Sequence, residues 1–401
     1  MTVAVIAFSG GLDTSFLVPY CREAYNIDRI VTCTVNTGGF DSDELTSIAK
    51  RSADLGADQH IHVDGIEEYY DDILKFLIFG NVSRDGYPLC VSSERIVIAK
   101  NALQVCEEVG ADFFIHGSTG AGNDQYRFDV AAQVLGRGTI ATKAPIREFG
   151  ITRTFATDYL RERGVAVSDR NSTYSYNPGL WGVSIGGKET LVSDGLLPDD
   201  AWYSKIDSSL VQAELDLSFE QGELTSLKFG SARWSEPTAI ISQLTRIGSS
   251  LGVGRHYHTG TSIPGKKGRL AYESPAADVI YEAHRVLEKA VLSQAQINGK
   301  KALGEVFGQL VHEARTFDPY ADDIKVFLSS TQRNVTGDCK VILAPGYVKS
   351  VTVKSPYDLL AMKGSVYGET SSYYDGRDAK GSAILHGYEQ MLHHMRTRPP
   401  T

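Results

Sequence analysis

The sequence predicts an α/β fold: a doubly wound parallel sheet, a second α+β domain and a C-terminal helical tail. Over the first 165 residues, short β-branched runs alternate with helical spacing, as in a parallel sheet covered on both faces. From about Val165, glycine-rich turns and alternating segments such as residues 224–229 indicate a mixed α+β domain. Beyond Gly364 the chain ends in an amphipathic helical pattern that includes residues 383–392. Its 401 residues, 42% of them apolar, suffice for two or three domains.

The first third of the chain alternates predicted strands and helices. Residues 3–8 form an apolar run of strand length, and helical spacing follows at residues 16–23. A second β-branched run, residues 30–35, leads through a glycine turn to a predicted helix over residues 41–55, with acidic residues in its first turn. Residues 59–63 predict a third strand. Because such sheets bind ligands at the carboxyl ends of their strands, the turns at these ends are candidate sites.

The same periodicities predict the later elements. An amphipathic helix is predicted over residues 92–109, followed by a strand over residues 111–115. Two further helices are predicted over residues 277–297 and 301–315. Residues 340–353 predict a hairpin around a Pro-Gly turn.

Composition and charge exclude several classes of protein. The net charge of −9 and the pI near 5.6 argue against a nucleic-acid-binding surface. No signal-peptide pattern and no stretch of membrane-spanning length is present, so we expect a cytoplasmic protein without membrane contact, whose sequons at Asn171 and Asn334 are not glycan sites. Structural disulfides and zinc are not expected, since the cysteines are odd in number and form no C-x-x-C pair. The cysteines are Cys21, Cys33, Cys90, Cys106 and Cys339.

The loop after the first predicted strand is a candidate phosphate site. Residues 9–15 read SGGLDTS and open the first helix. Two glycines let the backbone approach an anion, while hydroxyl groups, unpaired amides and the positive end of the helix share its charge. The loop is not a Walker motif, because no Lys follows the glycines, and it lacks the spacing of the dinucleotide fingerprint. A helix N-cap without a ligand is the structural alternative.

A second polar loop follows the strand at residues 111–115. Residues 116–129 combine glycines, hydroxyls, amides, carboxylates and an Arg, more polar groups than a connection needs, so we predict a binding loop rather than a solvated loop with a capped helix. The basic loop at residues 265–269 is either solvated or a contact for a substrate carboxylate. The pairs His256/His258 and His393/His394 lack a companion ligand at metal spacing, so no metal-ligating residues are predicted.

Several ordered motifs place these loops in a known family. The SGGLDTS loop resembles the pyrophosphate-binding loop of the N-type ATP pyrophosphatases (PP-loop superfamily), whose fold is Rossmann-like. Further motifs narrow the resemblance to the argininosuccinate synthase family, of which the chain is identified as a divergent member. These motifs occupy residues 117–128 (GSTGAGNDQYRF), 144–148 (APIRE), 174–184, 252–255 (GVGR) and 272–275 (YESP). The resemblance implies a nucleotide-binding domain at residues 1–165, a synthetase domain at 166–362 and a C-terminal oligomerisation tail at 363–401. From the sequence alone, this tail could equally pack on its own chain.

The resemblance also implies an activity. Enzymes of this family are AMP-forming carbon–nitrogen ligases: the ureido oxygen of citrulline attacks the α-phosphate of ATP, and the amine of aspartate then displaces AMP. The products are argininosuccinate, AMP and pyrophosphate, and activation is needed because AMP is a far better leaving group than oxide. ATP and Mg²⁺ are the implied cofactors, small molecules are the implied partners, and a homotetramer is the implied assembly.

The family motifs carry specific residues over to this chain. The implied catalytic residues are Asp13, Asp124 and Arg127. The implied ATP contacts are Ala7, Ser9, Gly10, Gly11, Asp13, Thr14, Ser15, Val35 and Gly117. The implied substrate contacts are Tyr87, Ser92, Thr119, Asn123, Asp124, Arg127, Ser175, Ser184 and Tyr272, among which Thr119, Asn123 and Asp124 take aspartate.

Three departures from the family pattern leave alternatives open. Ala121 stands where the family commonly has Lys, and residues 175–180 are less acidic than usual and include Pro178. Gly260 stands where the family has the Glu that pairs with citrulline's α-ammonium. The acceptor is therefore citrulline or, alternatively, an N-acylcitrulline or another ureido or amide compound. A catalytically silent nucleotide-binding paralogue is a second alternative, whereas cysteine spacing, pI and length favour neither a tRNA thiolase nor an amidotransferase synthetase.

Overall fold

The computed structural model describes residues 1–120, 122–136, 138–167, 173–362, 364 and 371–397; the departure at Ala121 and the sequon at Asn171 lie outside this part. The first region is a parallel five-stranded sheet in the order β3-β2-β1-β4-β5. Its strands are β1 Val3–Ala7, β2 Arg29–Asn36, β3 Gln59–Asp64, β4 Phe113–Ile115 and β5 Ala141–Lys143. The order reverses between β1 and β4, which creates a crevice at their carboxyl ends.

Helices cover both faces of this sheet, so the predicted doubly wound α/β fold is confirmed. Val3, Val5 and Ala7 of β1 pack in one core, whereas Ala4 and Ile6 pack in another, because alternate side chains of a strand point to opposite faces. The first core is completed by α5 Glu94–Val109 and α6 Asp124–Leu135, and the second by α1 Leu12–Ala24, α2 Ser42–Asp54 and α8 Arg153–Glu162. A short helix, α7 Pro145–Glu148, precedes α8.

The second region is built on two antiparallel sheets. One has the order β10-β9-β8-β13-β14 and the other, here the four-stranded sheet, the order β11-β12-β7-β6. The strands are β6 Ser175–Gly179, β7 Gly182–Gly186, β8 Ala213–Glu220, β9 Glu223–Phe229, β10 Ala232–Trp234, β11 Arg255–Thr261, β12 Lys267–Glu273, β13 Gly337–Ala344 and β14 Tyr347–Lys354. Pro178 lies on β6, at the edge of its sheet, where the missing N–H breaks no ladder. The predicted hairpin is confirmed as β13 and β14.

Helices from distant parts of the chain share the core of the second region. They are α3 Ile66–Tyr69, α4 Lys75–Gly80, α9 Pro237–Ser250, α10 Pro275–Val291, α11 Gln294–His312 and α12 Pro319–Thr331. A π-helical turn, Tyr70–Leu74, joins α3 to α4, a feature the sequence did not predict. The predicted helix break after residue 297 is wrong: Ser293 and Gln296 form a capping box, so the break falls between α10 and α11.

The two regions meet at the turn that follows β2. The amide of Leu180 donates to the carbonyl oxygen of Thr37 at 2.9 Å, and Gly38, at φ +90°, lies against Leu180. A side chain on Gly39 would overlap the carbonyl group of Pro178. Glycine is therefore required here by close backbone approach.

Replacing Gly39 by Ala is expected to lower the free energy of unfolding by about 1–3 kcal/mol, the usual cost of overpacking. The added methyl group would press on backbone atoms, which cannot move as a flexible side chain can. Urea denaturation measures the change. Gly186→Ala is the control because a Cβ there meets nothing within 4 Å; equal midpoints for both variants would contradict the prediction.

The chain ends in a helix that is not packed against the rest of the described residues. The helix α13, Gly376–Thr397, has no buried residue, and it extends well beyond the predicted residues 383–392 in both directions. Its exposed apolar side chains are Ile384, Leu385, Tyr388, Met391, Leu392 and Met395. In the described part of the chain, no helix combines the length and apolar character needed to cross a membrane.

Candidate active site

A cleft of about 1060 Å³ lies where the loops after β1 and β4 meet the four-stranded sheet. It occupies the crevice at the reversal of strand order, where α/β sheets bind ligands. Most of the predicted site residues line it: Ala7, Ser9, Gly10, Gly11, Asp13, Thr14, Val35, Tyr87, Ser92, Gly117, Thr119, Asn123, Asp124, Arg127, Ser175 and Ser184.

Residues 9–15, the phosphate loop, form a cradle of donors at one end of the cleft. Gly10 has φ +72°, and Gly11 is the N-cap residue of α1. The first amides of a helix have no intrahelical partner, and here no side chain of the N-cap residue satisfies them. The hydroxyl oxygens of Ser9 and Thr14 lie 3.3 Å apart beside them. This combination of amides, hydroxyls and positive helix end suits a phosphate group.

The loop after β4 approaches the phosphate loop closely. A Cβ on Gly117 would lie 3.4 Å from the side chains of Asp13 and Thr14, so only a very small residue keeps the present gap. Burial raises the pKa of Asp13, while the nearby Arg153 acts in the opposite direction. The two loops thus form one wall around a half-buried carboxyl group.

Two predicted contacts lie behind the cleft wall instead of lining it. The Ser15 hydroxyl donates to the carbonyl oxygen of Gly10 at 3.3 Å and accepts from Arg51 Nε at 2.6 Å, so it braces the phosphate loop from within. The ring of Tyr272 packs edge-on against Tyr87, with centroids 5.0 Å apart. Tyr272 therefore supports a residue that does line the cleft.

Four charged side chains form a cluster at the centre of the cleft: Glu94, Arg95, Asp124 and Arg127, here the charged cluster. Asp124 Oδ1 accepts from Arg127 Nη1 at 2.7 Å, and its Oδ2 accepts from Arg95 Nε at 3.2 Å. Arg95 also donates to Glu94 Oε1 at 2.9 Å and to Asn177 Oδ1 of β6 at 2.8 Å. The cluster thereby ties α5 and α6 to the four-stranded sheet.

The two carboxyl groups of the cluster have opposite pKa shifts. Burial works against ionisation of Asp124, but the guanidinium groups of Arg95 and Arg127 outweigh it and lower the pKa. Burial raises the pKa of Glu94 to about 7, although Arg95 and the Thr37 hydroxyl, which donates at 2.9 Å, oppose the shift. Asp124 is therefore ionised at neutral pH, whereas Glu94 titrates there.

The raised pKa of Glu94 predicts a pH-dependent stability. Below about pH 4.5 the Glu94 carboxyl group is protonated in both the folded and the unfolded state. As the pH rises toward 7, the group ionises first in the unfolded chain, so the free energy of unfolding of the protein falls. Between about pH 4.5 and pH 7, the free energy of unfolding of the wild type should fall by about 3 kcal/mol relative to that of the Glu94→Gln variant. Urea denaturation across this range measures the difference, with Glu107→Gln, exposed on the same helix, as control. A pH-independent difference would contradict the prediction.

Two family models match the chain. The model described as the arginosuccinate synthase N-terminal HUP domain matches residues 3–166, and the model for the arginosuccinate synthase C-terminal domain matches residues 174–393.

The chain belongs to the argininosuccinate synthase family.

Curated relatives match almost the whole chain. The argininosuccinate synthase of Methanocaldococcus jannaschii is 31% identical over 398 residues, covering 99% of each chain. Those of Xanthomonas campestris pv. campestris and Xylella fastidiosa are 36% and 35% identical over 403 residues, covering 97% of this chain and 97% and 96% of theirs. The resemblance carried by the motifs is confirmed along the full chain.

The glycine that departs from the family pattern faces a histidine. Gly260 and His258 lie on the same face of β11, and a Cβ on Gly260 would overlap the imidazole ring of His258. That ring stacks on Tyr87, with centroids 5.1 Å apart. His258 thus fills the space beside Gly260, and a Glu at position 260 would require this ring to move.

His256 and Arg269 of the basic loop have partners within the protein. His256 Nε2 lies 2.7 Å from Asp278 Oδ2, and within the described ranges no three His, Cys, Asp or Glu side chains group as metal ligands. Lys266 and Lys267 are exposed. Arg269 donates to the backbone carbonyl oxygens of Glu189, Val192 and Gly195. The five cysteines are free and buried.

Several residues that line the cleft were not predicted from the sequence to do so, above all Glu94, Arg95, His258 and His312. Glu94 and Arg95 could have been found, because charged residues next to apolar positions at the start of a predicted helix indicate a buried polar site. His312 gave no signal, because the residue it contacts, Arg127, is 185 positions away.

Proposed function

We propose that this chain is an argininosuccinate synthase: an ATP-dependent, AMP-forming ligase that joins citrulline to aspartate. One observation carries the proposal: the phosphate loop and the charged cluster line one cleft at the reversal of strand order. The curated names of the relatives support this pair of substrates.

The phosphate loop binds ATP in the proposed reaction. The amides at the start of α1 and the hydroxyls of Ser9 and Thr14 hold the β- and γ-phosphates, while Val35 and Gly117 contact the rest of the nucleotide. The ureido oxygen of citrulline attacks the α-phosphorus, and pyrophosphate leaves as the P–O bond breaks. The loop's fixed donors stabilise the negative charge that develops on the leaving group.

The charged cluster aligns the second substrate. Asp124 is ionised and pairs with the ammonium group of aspartate, with Thr119 and Asn123 nearby on the same loop. After this ammonium has lost a proton to solvent, the amine attacks the ureido carbon, the C–O bond breaks, and AMP departs with the former ureido oxygen. Because the lowered pKa of Asp124 makes it a weak base, we assign it an electrostatic role, and Arg127 holds it in position.

Mg²⁺ enters this proposal with ATP. The nucleotide end of the cleft offers the carboxylates of Asp13 and Glu44, which fits an ion held mainly by phosphate oxygens and water. The ion neutralises phosphate charge when bound, and Asp13 is the residue placed to orient it.

The test measures release of AMP and pyrophosphate from ATP and aspartate, with citrulline and N-acetylcitrulline assayed side by side. Turnover with citrulline is expected. Turnover with only the acylated compound would overturn the choice of acceptor. Absence of pyrophosphate exchange into ATP with either acceptor would overturn the proposed enzyme class.

We also propose a cytoplasmic homotetramer in which α13 packs on a neighbouring subunit. The exposed apolar side chains of this helix support the proposal, since an isolated helix gains little stability in water without tertiary packing. Light scattering of the full chain and of a chain ending before residue 371 tests it: the full chain should be the larger assembly.

A further inference from the structure

His312 ends α11 and lines the cleft, with only 6% of its surface exposed. Its carbonyl oxygen accepts hydrogen bonds from Arg127 Nε at 3.2 Å and Nη2 at 3.1 Å. Carbonyl groups at a helix end have no intrahelical partner and lie at the negative end of the helix dipole. Arg127 therefore caps α11, and α11 in turn fixes the plane of the Arg127 guanidinium group.

The ring of His312 makes a third contact with Arg127. Its Nδ1 lies 3.4 Å from Arg127 Nη2. Because a guanidinium group only donates, Nδ1 must be the accepting nitrogen, and the proton of the neutral ring lies on Nε2. Burial lowers the pKa of His312 to about 3, assisted by the positive charges of Arg127 and Arg84, so the ring is neutral at physiological pH.

The Nε2–H group of His312 has no hydrogen-bond partner among the described residues. Over the same residues, the other buried side-chain polar atoms without a partner belong to side chains that do not line the cleft. A buried donor without a partner costs about 1–3 kcal/mol. Because the His312 residue lines the cleft, a ligand bound beside its ring that accepts from Nε2 would remove this cost.

We propose that the Nε2–H of His312 binds a substrate carboxylate, while its Nδ1 and carbonyl oxygen orient Arg127. The neighbouring guanidinium groups of Arg84 and Arg127 favour an anionic oxygen over the neutral ureido group. This inference rests on the proposed function, in which both citrulline and aspartate carry carboxylates. His312 is thus a binding residue and also a positioning residue for Arg127.

Two substitutions separate these roles in steady-state kinetics of the full chain. His312→Asn keeps an acceptor oxygen near the place of Nδ1 but removes the Nε2–H donor; His312→Phe removes both. We expect each variant to raise the KM of either citrulline or aspartate about 10- to 100-fold, with the KM of ATP within twofold. Only His312→Phe should also lower kcat, because it alone removes the contact of Nδ1 with Arg127 Nη2 and leaves Arg127 held by the carbonyl oxygen of residue 312 and by Asp124. The amino acid whose KM rises identifies the carboxylate.

His256→Phe is the control, since His256 lies outside the cleft and bonds Asp278. Unchanged KM values for both amino acids in His312→Asn would overturn the inference, as would an equal rise in all three KM values. If the wild type does not turn over citrulline and aspartate, the proposed function fails instead. In that case, calorimetry measures the affinity of citrulline and of aspartate for the wild type and for His312→Asn. Equal affinities for the two proteins would overturn the inference that His312 binds a carboxylate.

Discussion

Replacing Asp124 by Asn is expected to lower kcat/KM for aspartate by about 10²- to 10³-fold. Asp124 accepts from both Arg95 and Arg127, and 37% of its side chain remains exposed, facing the cleft. Asn keeps the shape of the side chain but loses the negative charge between two guanidinium groups. The amide NH₂ group of the Asn side chain would also point donor hydrogens at one of the two guanidinium groups, so this hydrogen bond would be lost. The ammonium group of aspartate would lose its negatively charged partner.

The assay is AMP release at varied aspartate concentration. Asp322→Asn is the matched control, because Asp322 is exposed on α12 and, among the described residues, forms an ion pair only with Lys325, at 3.4 Å. Circular dichroism should show that both variants keep their secondary structure. An Asp124→Asn enzyme within threefold of the wild type would remove Asp124 from the proposed mechanism.

The second large effect concerns stability. Replacing Lys300 by Met should lower the free energy of unfolding by about 3–5 kcal/mol, because it leaves a buried carboxylate without its cation. Lys300 Nζ lies 2.7 Å from Glu288 Oε2, with side chains 4% and 5% exposed, and it also donates to the carbonyl oxygen of Phe79 at 2.7 Å. Gln332 and Asn81 donate to the same carboxylate, but neither supplies positive charge.

Urea denaturation provides the measurement, and the adjacent residue provides the control. Lys301 is exposed on the same helix, so Lys301→Met should stay within about 0.5 kcal/mol of the wild type. The double variant Glu288→Gln/Lys300→Met should recover much of the loss, because it removes the unpaired charge. A similar loss in Lys300→Met and in Lys301→Met would contradict the prediction, because it would indicate a general effect of Met on α11 and not the loss of a buried ion pair.

The parallel sheet could be predicted because its signals are local. The run VAVIA of β1 is buried on both faces, so it appears in the sequence as an unbroken apolar stretch. The helix α2 carries its own start signal, the capping box of Asp41 and Glu44. The motif loops are also continuous in sequence, which is why most of the residues predicted for the site do line the cleft.

What escaped prediction depends on contacts between distant segments. The break at Ser293 was misplaced because Asn298 and Gly299, ordinary helix breakers, lie inside α11. A Cβ added at Gly299 would meet the ring of Phe327 at 3.5 Å, an ordinary van der Waals contact. Arg95 reaches Asp124 and Asn177 across 29 and 82 residues. The space beside Gly260 could not be assigned to His258 without knowing that Tyr87 stacks on that ring.

The span between Arg127 and His312 also has a consequence during protein synthesis. The five strands of the parallel sheet are complete by Lys143, so this sheet can form while later residues are still being translated. The carbonyl group that holds Arg127 is made 185 residues after it, roughly 10–40 s later at ordinary elongation rates. A nascent chain therefore acquires its phosphate loop well before the Arg127 side chain is fixed, and ligation competence is one of the last properties it gains.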